Sequence, residues 1–188
     1  MLQIYVKRSR KQTAHHDRRV VLRAIVCLCL VVLAGCATQQ QLGKGTVQHG
    51  MALGWVGRDV FFRADHDAFA HAFDTTQADQ GMAQLVSAVA QDVDIIVFFG
   101  SWCGDSKREV PRFLRLADAA GIPPDRVRWY GLDRTKTSPD GLAAQFRIER
   151  VPTFIFLKNG AEVGRIVEHP SGTLAGDMIA ILNRHGNP

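Results

Sequence analysis

Apolar residues in this chain recur at helical spacing over some stretches and run together over others, and the two patterns alternate. Asp79 to Ala90 sets Met82, Leu85, Val86, Val89 and Ala90 on one helical face. It leads into Val93 to Phe99, an apolar run expected of a buried central strand. A helix is predicted next, from about Asp105 to Ala119, with Val110, Phe113, Leu114 and Ala117 as its buried stripe. Pro111 removes a backbone donor inside that helix and predicts a kink. Val127 to Leu132 reads as a strand, Gly141 to Phe146 as a short helix, and Thr153 to Leu157 as another strand. Lys158-Asn159-Gly160 supplies an Asn-Gly hairpin turn, with the return strand running through Glu162 to Glu168. A closing helix from about Gly172 to Arg184 presents Leu174, Met178, Ile181 and Leu182. Upstream, Val60, Phe61 and Phe62 suggest a short strand, and Asp67 to Phe73 a helix with Phe69 and Phe73 on one face. The order βαβαβαββα predicts an α/β fold, a central mixed sheet with helices on both faces.

The N-terminus changes the charge picture. Residues Met1 to Arg23 hold seven basic side chains against Asp17 alone, and the apolar run Ala24 to Ala34 follows. That is the pattern of a secretory signal. The run has 11 residues, short of the roughly 20 that span a bilayer as a helix. It ends in Leu33-Ala34-Gly35-Cys36, which resembles a bacterial lipobox; the resemblance implies cleavage before Cys36 and lipidation of its side chain. Ala37 lacks the aspartate associated with inner-membrane retention, so the expected anchor is in the outer membrane, facing the periplasm. Residues 1–35 are thus expected to be a signal peptide, 36–50 a flexible tether rich in Gln and Gly, and 51–188 one folded domain. The leader carries seven of the 23 basic residues and one of the 18 acidic ones, leaving 16 against 17 in the remainder. The formal charge of +5 therefore belongs to the leader, and nothing in the composition of the rest supports nucleic-acid binding.

Cys27 and Cys29 leave with the leader and Cys36 is spoken for, so Cys103 is the one thiol of the expected domain. An unpaired cysteine in an oxidising compartment calls for a chemical reason. The loop Trp102-Cys103-Gly104-Asp105-Ser106 follows an apolar strand, Pro111 lies eight residues after the cysteine, and Val151-Pro152-Thr153 precedes the hairpin and closing helix. In this order the features resemble the thioredoxin superfamily over roughly residues 93–182. The resemblance implies a thioredoxin-like fold, a cis-proline at Pro152 and a client-docking edge made by Trp102, Val151, Pro152 and Thr153. It also implies that Cys103 is the attacking thiol and that Ser106 stands where the resolving cysteine would be. Val97 occupies the place of the family's buried aspartate, six residues before Cys103. Dithiol turnover is thereby disfavoured twice.

A reactive thiol remains. Cys103 is expected at a helix N-terminus, where unpaired amides and the helix dipole attract negative charge, with Lys107 and Arg108 adding to that effect and Asp105 opposing it. Ser106 is a candidate hydrogen-bond donor to the sulfur. Two readings stand side by side. In one, Cys103 performs monothiol exchange with thiols or disulfides of client proteins in the envelope, and another thiol resolves the adduct. In the other, the domain is a redox-inactive binding module for an envelope partner and the cysteine is vestigial. Likeness to monothiol glutaredoxins, which hold iron-sulfur clusters with glutathione, is opposed by Trp102 and by the lack of a Gly-Gly motif after Val151-Pro152-Thr153. No cofactor is expected. His66 and His71, near Asp65 and Asp67, have poor spacing for a metal and read as a solvated face.

Overall fold

The computed structural model describes residues 45–184. Six strands form one sheet: β1 (Thr46–Gln48), β2 (Met51–Val56), β3 (Val93–Phe99), β4 (Val127–Gly131), β5 (Thr153–Lys158) and β6 (Ala161–Val167). Their spatial order is β1-β2-β4-β3-β5-β6. Only β3 and β4 pair in parallel; every other neighbouring pair is antiparallel. The sheet is therefore mixed, and β3 lies in its interior. The helices are α1 (Asp67–Thr75), α2 (Gln80–Val89), α3 (Gly104–Ala119), α4 (Leu142–Gln145) and α5 (Leu174–Arg184).

The period of β3 divides the core into two layers. Val93, Ile95, Val97 and Phe99 face one side, where the buried residues of α1, α2, α3 and α5 pack; Ile96 and Phe98 face the other. That second layer is completed by Tyr130, Leu132, Ile155 and Leu157, with only the single-turn α4 contributing Ala143. Both faces are covered, but very unequally. Part of the second face is consequently closed by half-buried side chains, among them Trp55, Trp102, Cys103 and Phe146.

The longer periodic segments form as their spacing predicts. Asp79 caps α2 through its carboxylate, which accepts the Met82 amide at 3.0 Å. Helix α3 continues through the buried Pro111 to Ala119. Asn159 and Gly160, with φ of 52° and 77°, make the expected hairpin turn between β5 and β6.

The N-terminal part of the domain departs from the expectation. Thr46–Gln48 pairs with Met51–Leu53 in a hairpin, so the stretch 36–50 expected as tether includes ordered strand at its end. His49 and Gly50 close this hairpin with φ of 51° and 71°, a two-residue turn in the left-handed region. The sequence hid it because His-Gly is a weak turn signal and β1 has only three residues. Val60 to Phe62 is part of a 3-10 turn, Arg58–Phe62, and the first strands are β1 and β2 instead. Three consecutive apolar residues carry no period with which to separate the two structures. The turn drives Phe61 into the core, with ring centroids 4.9 Å from Phe99 and Trp129. Phe62 is left 44% exposed.

His66 also corrects the sequence reading. His71, Asp65 and Asp67 are exposed, but His66 is buried beside Phe69. Its Nδ1 lies 3.2 Å from Asp65 Oδ1 without the alignment of a hydrogen bond. Residues 1–35, with Cys36 and most of the expected tether, lie outside the described residues.

Candidate active site

The interior strand β3 ends at Phe99 and delivers Gly100-Ser101-Trp102-Cys103 to the end of the sheet, where α3 begins. Cys103 is the N-cap of α3, with extended backbone at φ −86° and ψ 130°. Its amide donates to the Gly100 carbonyl at 2.9 Å, and its carbonyl accepts the Lys107 amide at 3.0 Å. The loop is thus fixed at both sides of the cysteine. The sulfur is half-buried, and its thiol donates to the carbonyl oxygen of Val151 at 3.2 Å. Cys103 is the only cysteine among the described residues.

The Val151–Pro152 peptide is cis. Around it the backbone is tied down, since the Glu168 amide donates to the Pro152 carbonyl at 2.7 Å and the Thr153 hydroxyl donates to the Arg150 carbonyl at 2.7 Å. Val151 and Thr153 have buried side chains, so what this edge offers at the site is mainly backbone. Trp102, Cys103, Val151, Pro152 and Thr153 therefore meet at one place, although some fifty residues separate the two halves.

Ser106 is fully buried, and its Oγ accepts the Gly100 amide at 3.2 Å. No hydrogen bond joins it to the Cys103 sulfur among the described residues. The bond it does make is structural: Ser106 satisfies a buried amide of the very loop that carries the thiol. Asp105 is engaged as well, accepting from Arg108 at 2.7 Å, which offsets the repulsion a free carboxylate would exert at the helix start.

Val97 is completely buried in the apolar layer under α3, and no proton acceptor occupies its place. Another acid is buried nearby in sequence. Glu109 shares Oε1 between Arg108 at 2.7 Å and Arg112 at 3.3 Å. Six residues of helix place it roughly 9 Å further along the axis from Cys103. Glu109 is therefore no substitute for an acid beneath the thiol.

Ser101 and Tyr130 were not singled out by the sequence. Ser101 is buried, and its Oγ accepts the Ala52 amide at 3.1 Å and donates to the Gly50 carbonyl at 3.3 Å. It fastens the Cys103 loop to the β1–β2 hairpin. A lone serine before Trp-Cys carries no sequence signal for such a bond, because its partners are fifty residues away. Tyr130 lies in the thinly covered layer, where its hydroxyl donates to Asp140 at 2.8 Å. Burial first, and the neighbouring Asp140 second, push its phenol up to about 12. Asp140 is itself raised by burial, but the Leu142 amide and the Tyr130 and Ser138 hydroxyls outweigh this and hold it below the usual carboxylate range.

Trp102 has a defined seat. Its indole N–H donates to the Leu132 carbonyl at 2.9 Å. The ring lies against Gly100, where a Cβ would approach Cε2 to 2.7 Å. Arg134 holds its guanidinium carbon 5.0 Å from the ring centroid. The arrangement presents one half-buried thiol at a helix start, opposite a backbone carbonyl.

A thioredoxin of Malassezia sympodialis is 36% identical over 76 residues, covering 40% of this chain and 68% of that protein. A thioredoxin-like protein of Acanthamoeba polyphaga mimivirus is 34% identical over 73 residues, covering 39% of this chain and 50% of that protein. The latter match thus spans half the length of the relative. A solved structure, thioredoxin f2 of Chlamydomonas reinhardtii, aligns with a TM-score of 0.36 at 23% identity, over 60% of this chain and 96% of that one. The sequence pattern of the family described as thioredoxin matches residues 75–180, from the end of α1 into α5 and across the whole Cys103 site. With more than half its length in that match, this chain belongs to the thioredoxin family.

Proposed function

We propose that this protein carries out monothiol exchange on client proteins of the cell envelope, with Cys103 as the nucleophile. The observation that carries the reading is the seating of one thiol at the N-terminus of α3, 3.2 Å from the carbonyl beside the cis Val151–Pro152 peptide. In the reaction, the Cys103 thiol releases its proton to solvent and the thiolate attacks a client disulfide. A new sulfur–sulfur bond forms, the client's bond breaks, and the departing client sulfur leaves as a thiolate. A different thiolate of the client then attacks the client sulfur of the mixed disulfide, so that a new client disulfide forms, the bond to Cys103 breaks and Cys103 leaves as the thiolate. The cycle is redox-neutral and shuffles disulfides. Ser106 cannot release the adduct, because a hydroxyl forms no disulfide.

The docking edge fits this chemistry. Trp102 supplies a fixed aromatic face, and the backbone of Val151, Pro152 and Thr153 supplies polar groups for an extended segment of client. The protein disulfide-isomerase of Oryctolagus cuniculus is 28% identical over 94 residues, covering 50% of this chain and 18% of that protein. A shared exchange chemistry is consistent with that likeness.

In this proposal the domain is held at the periplasmic side of the outer membrane by acyl chains on Cys36, after removal of residues 1–35. Support comes from the basic leader, the 11-residue apolar run and the lipobox-like Leu33-Ala34-Gly35-Cys36. Acyl labelling and globomycin-sensitive processing should both vanish in Cys36→Ala; unchanged labelling would remove the anchor from the proposal.

The decisive experiment traps mixed disulfides in whole envelopes with wild-type protein and Cys103→Ala. Specific adducts that need Cys103 are expected. A cellular phenotype complemented equally well by Cys103→Ala, with no adducts in the wild type, would assign the domain to the binding-module reading instead.

A further inference from the structure

Resting on the monothiol-exchange reading, we infer that Arg134 selects clients: it receives a carboxylate side chain adjacent to the client's reactive cysteine. Trp102 immediately precedes the nucleophile, and Arg134 is the charged group over its ring, at 5.0 Å. The ring cannot swing away freely, because its N–H is bonded to the Leu132 carbonyl and Gly100 lies against it. The stacked guanidinium is thereby held beside the thiol loop, exposed to solvent.

The donors of Arg134 have no carboxylate partner among the described residues, and it is the arginine over Trp102, beside the thiol. Arg108 is committed to Asp105 and Glu109, and Arg150 to Glu168. The acids on the Trp102 side are committed too. Asp105 accepts from Arg108, while Asp133, next to Arg134 in sequence, accepts the Thr135 amide at 2.9 Å and hydroxyl at 2.6 Å. Lys107, in the first turn after Cys103, forms no ion pair among the described residues either. Arg134 over Trp102 and Lys107 in the first turn of α3 are thus cations without an ion-pair partner among the described residues, and Asp133, bonded to neutral groups of Thr135, is the neighbouring acid whose charge they share. On the Val151 side, Arg150 is neutralised by Glu168, and Glu149 lies in sequence between Arg147 and Arg150. A planar guanidinium with its ring face occupied still has its N–H edge free, and a carboxylate matches that edge with two hydrogen bonds. The occupant that fits is a polypeptide with Asp or Glu flanking its cysteine.

The test compares disulfide-bonded peptides that differ only in Glu, Gln or Lys beside one cysteine, reacted with the full chain. The rate of Cys103 adduct formation is measured at low and high salt. The Glu peptide should exceed the Gln peptide by about three-fold at low salt, a size typical of an exposed ion pair. Added salt should shrink the preference, Arg134→Ala should abolish it, and Arg134→Lys should retain part of it. A wild-type protein that treats Glu and Gln alike, or a preference that survives Arg134→Ala, overturns the proposal. A faster reaction with oxidised glutathione than with the Glu peptide overturns its assignment to a polypeptide. A second measurement, equilibrium binding of the reduced peptides to Cys103→Ser, does not depend on exchange. If no peptide forms an adduct but the Arg134-dependent Glu preference persists in binding, the exchange reading fails and the Arg134 inference stands. Absence of the preference in both measurements sinks the inference alone.

Discussion

The Oγ of Ser106 accepts the backbone amide of Gly100 at 3.2 Å, so the residue at the resolving position supports the loop that carries Cys103. Positions three apart in a first helical turn bring side chains within about 5–6 Å at Cβ. An unstrained disulfide needs about 3.5–4.5 Å between Cβ atoms, so closure requires a small backbone shift, for which the non-helical N-cap Cys103 is the available place. With that shift, Ser106→Cys should close a bond with Cys103. Denatured variant purified under air should titrate two thiols fewer than its reduced form, whereas wild type should titrate the same with and without reductant. Insulin reduction should rise above the wild-type rate yet stay slow, because Val97 leaves no buried acid. Free thiols at both positions after oxidation would refute the geometry.

Removing the same hydroxyl isolates its structural role. Ser106→Ala leaves the Gly100 amide without an acceptor in a buried site, which costs on the order of 1–3 kcal/mol. Urea unfolding should show that loss. The intrinsic reaction of Cys103 with a small disulfide in the folded state should change little, since Ser106 makes no bond to the sulfur. A large drop in thiol reactivity with unchanged stability would restore Ser106 to a chemical role.

Ser101 joins two segments that the chain separates by fifty residues. Ser101→Ala removes the acceptor of the Ala52 amide and the donor to Gly50 together. Amide exchange should accelerate through β1, β2 and the Gly100–Cys103 loop, with α5 unaffected, and global stability should fall by about 1–3 kcal/mol. Uniform acceleration across the domain would show that the hairpin is not held by this residue.

Tyr130 makes the fold sensitive to alkali. Its phenol is raised to about 12 in the folded state, against about 10 when unfolded. The neutral form is favoured by folding, so its stabilising contribution is complete below pH ~10 and is lost as pH rises towards 12. The loss is on the order of 1–2 kcal/mol by the upper end of that window, allowing for solvent screening. Tyr130→Phe should flatten the stability profile there, and tyrosinate absorbance in protein lacking the leader should report this one phenol, since the only other tyrosine is Tyr5. A wild-type profile equal to that of Tyr130→Phe would mean the phenol ionises as freely as in water.

The chain alone determined β3, α2, α3, the β5–β6 hairpin and α5. In each, period, cap or turn chemistry lies within a dozen or so residues and agrees with the tertiary environment. It also placed Cys103 at a helix start and proline at 152, since those depend on local order along the chain. The three-residue β1, the 3-10 turn that drives Phe61 inward and the burial of His66 were beyond it. Short segments take their conformation from the surfaces they cover, and no local period records that. The same holds for the site. Sequence nominated Trp102, Cys103, Ser106, Val151, Pro152 and Thr153. Only the folded sheet decided that the thiol bonds Val151, that Ser106 turns to Gly100, that Ser101 grips the first hairpin and that Arg134 lies over Trp102. Three of these contacts join segments that the folded sheet brings together, the Ser106–Gly100 bond is local, and in all of them hydrogen-bond or stacking geometry is fixed by packing, which no spacing along the chain encodes.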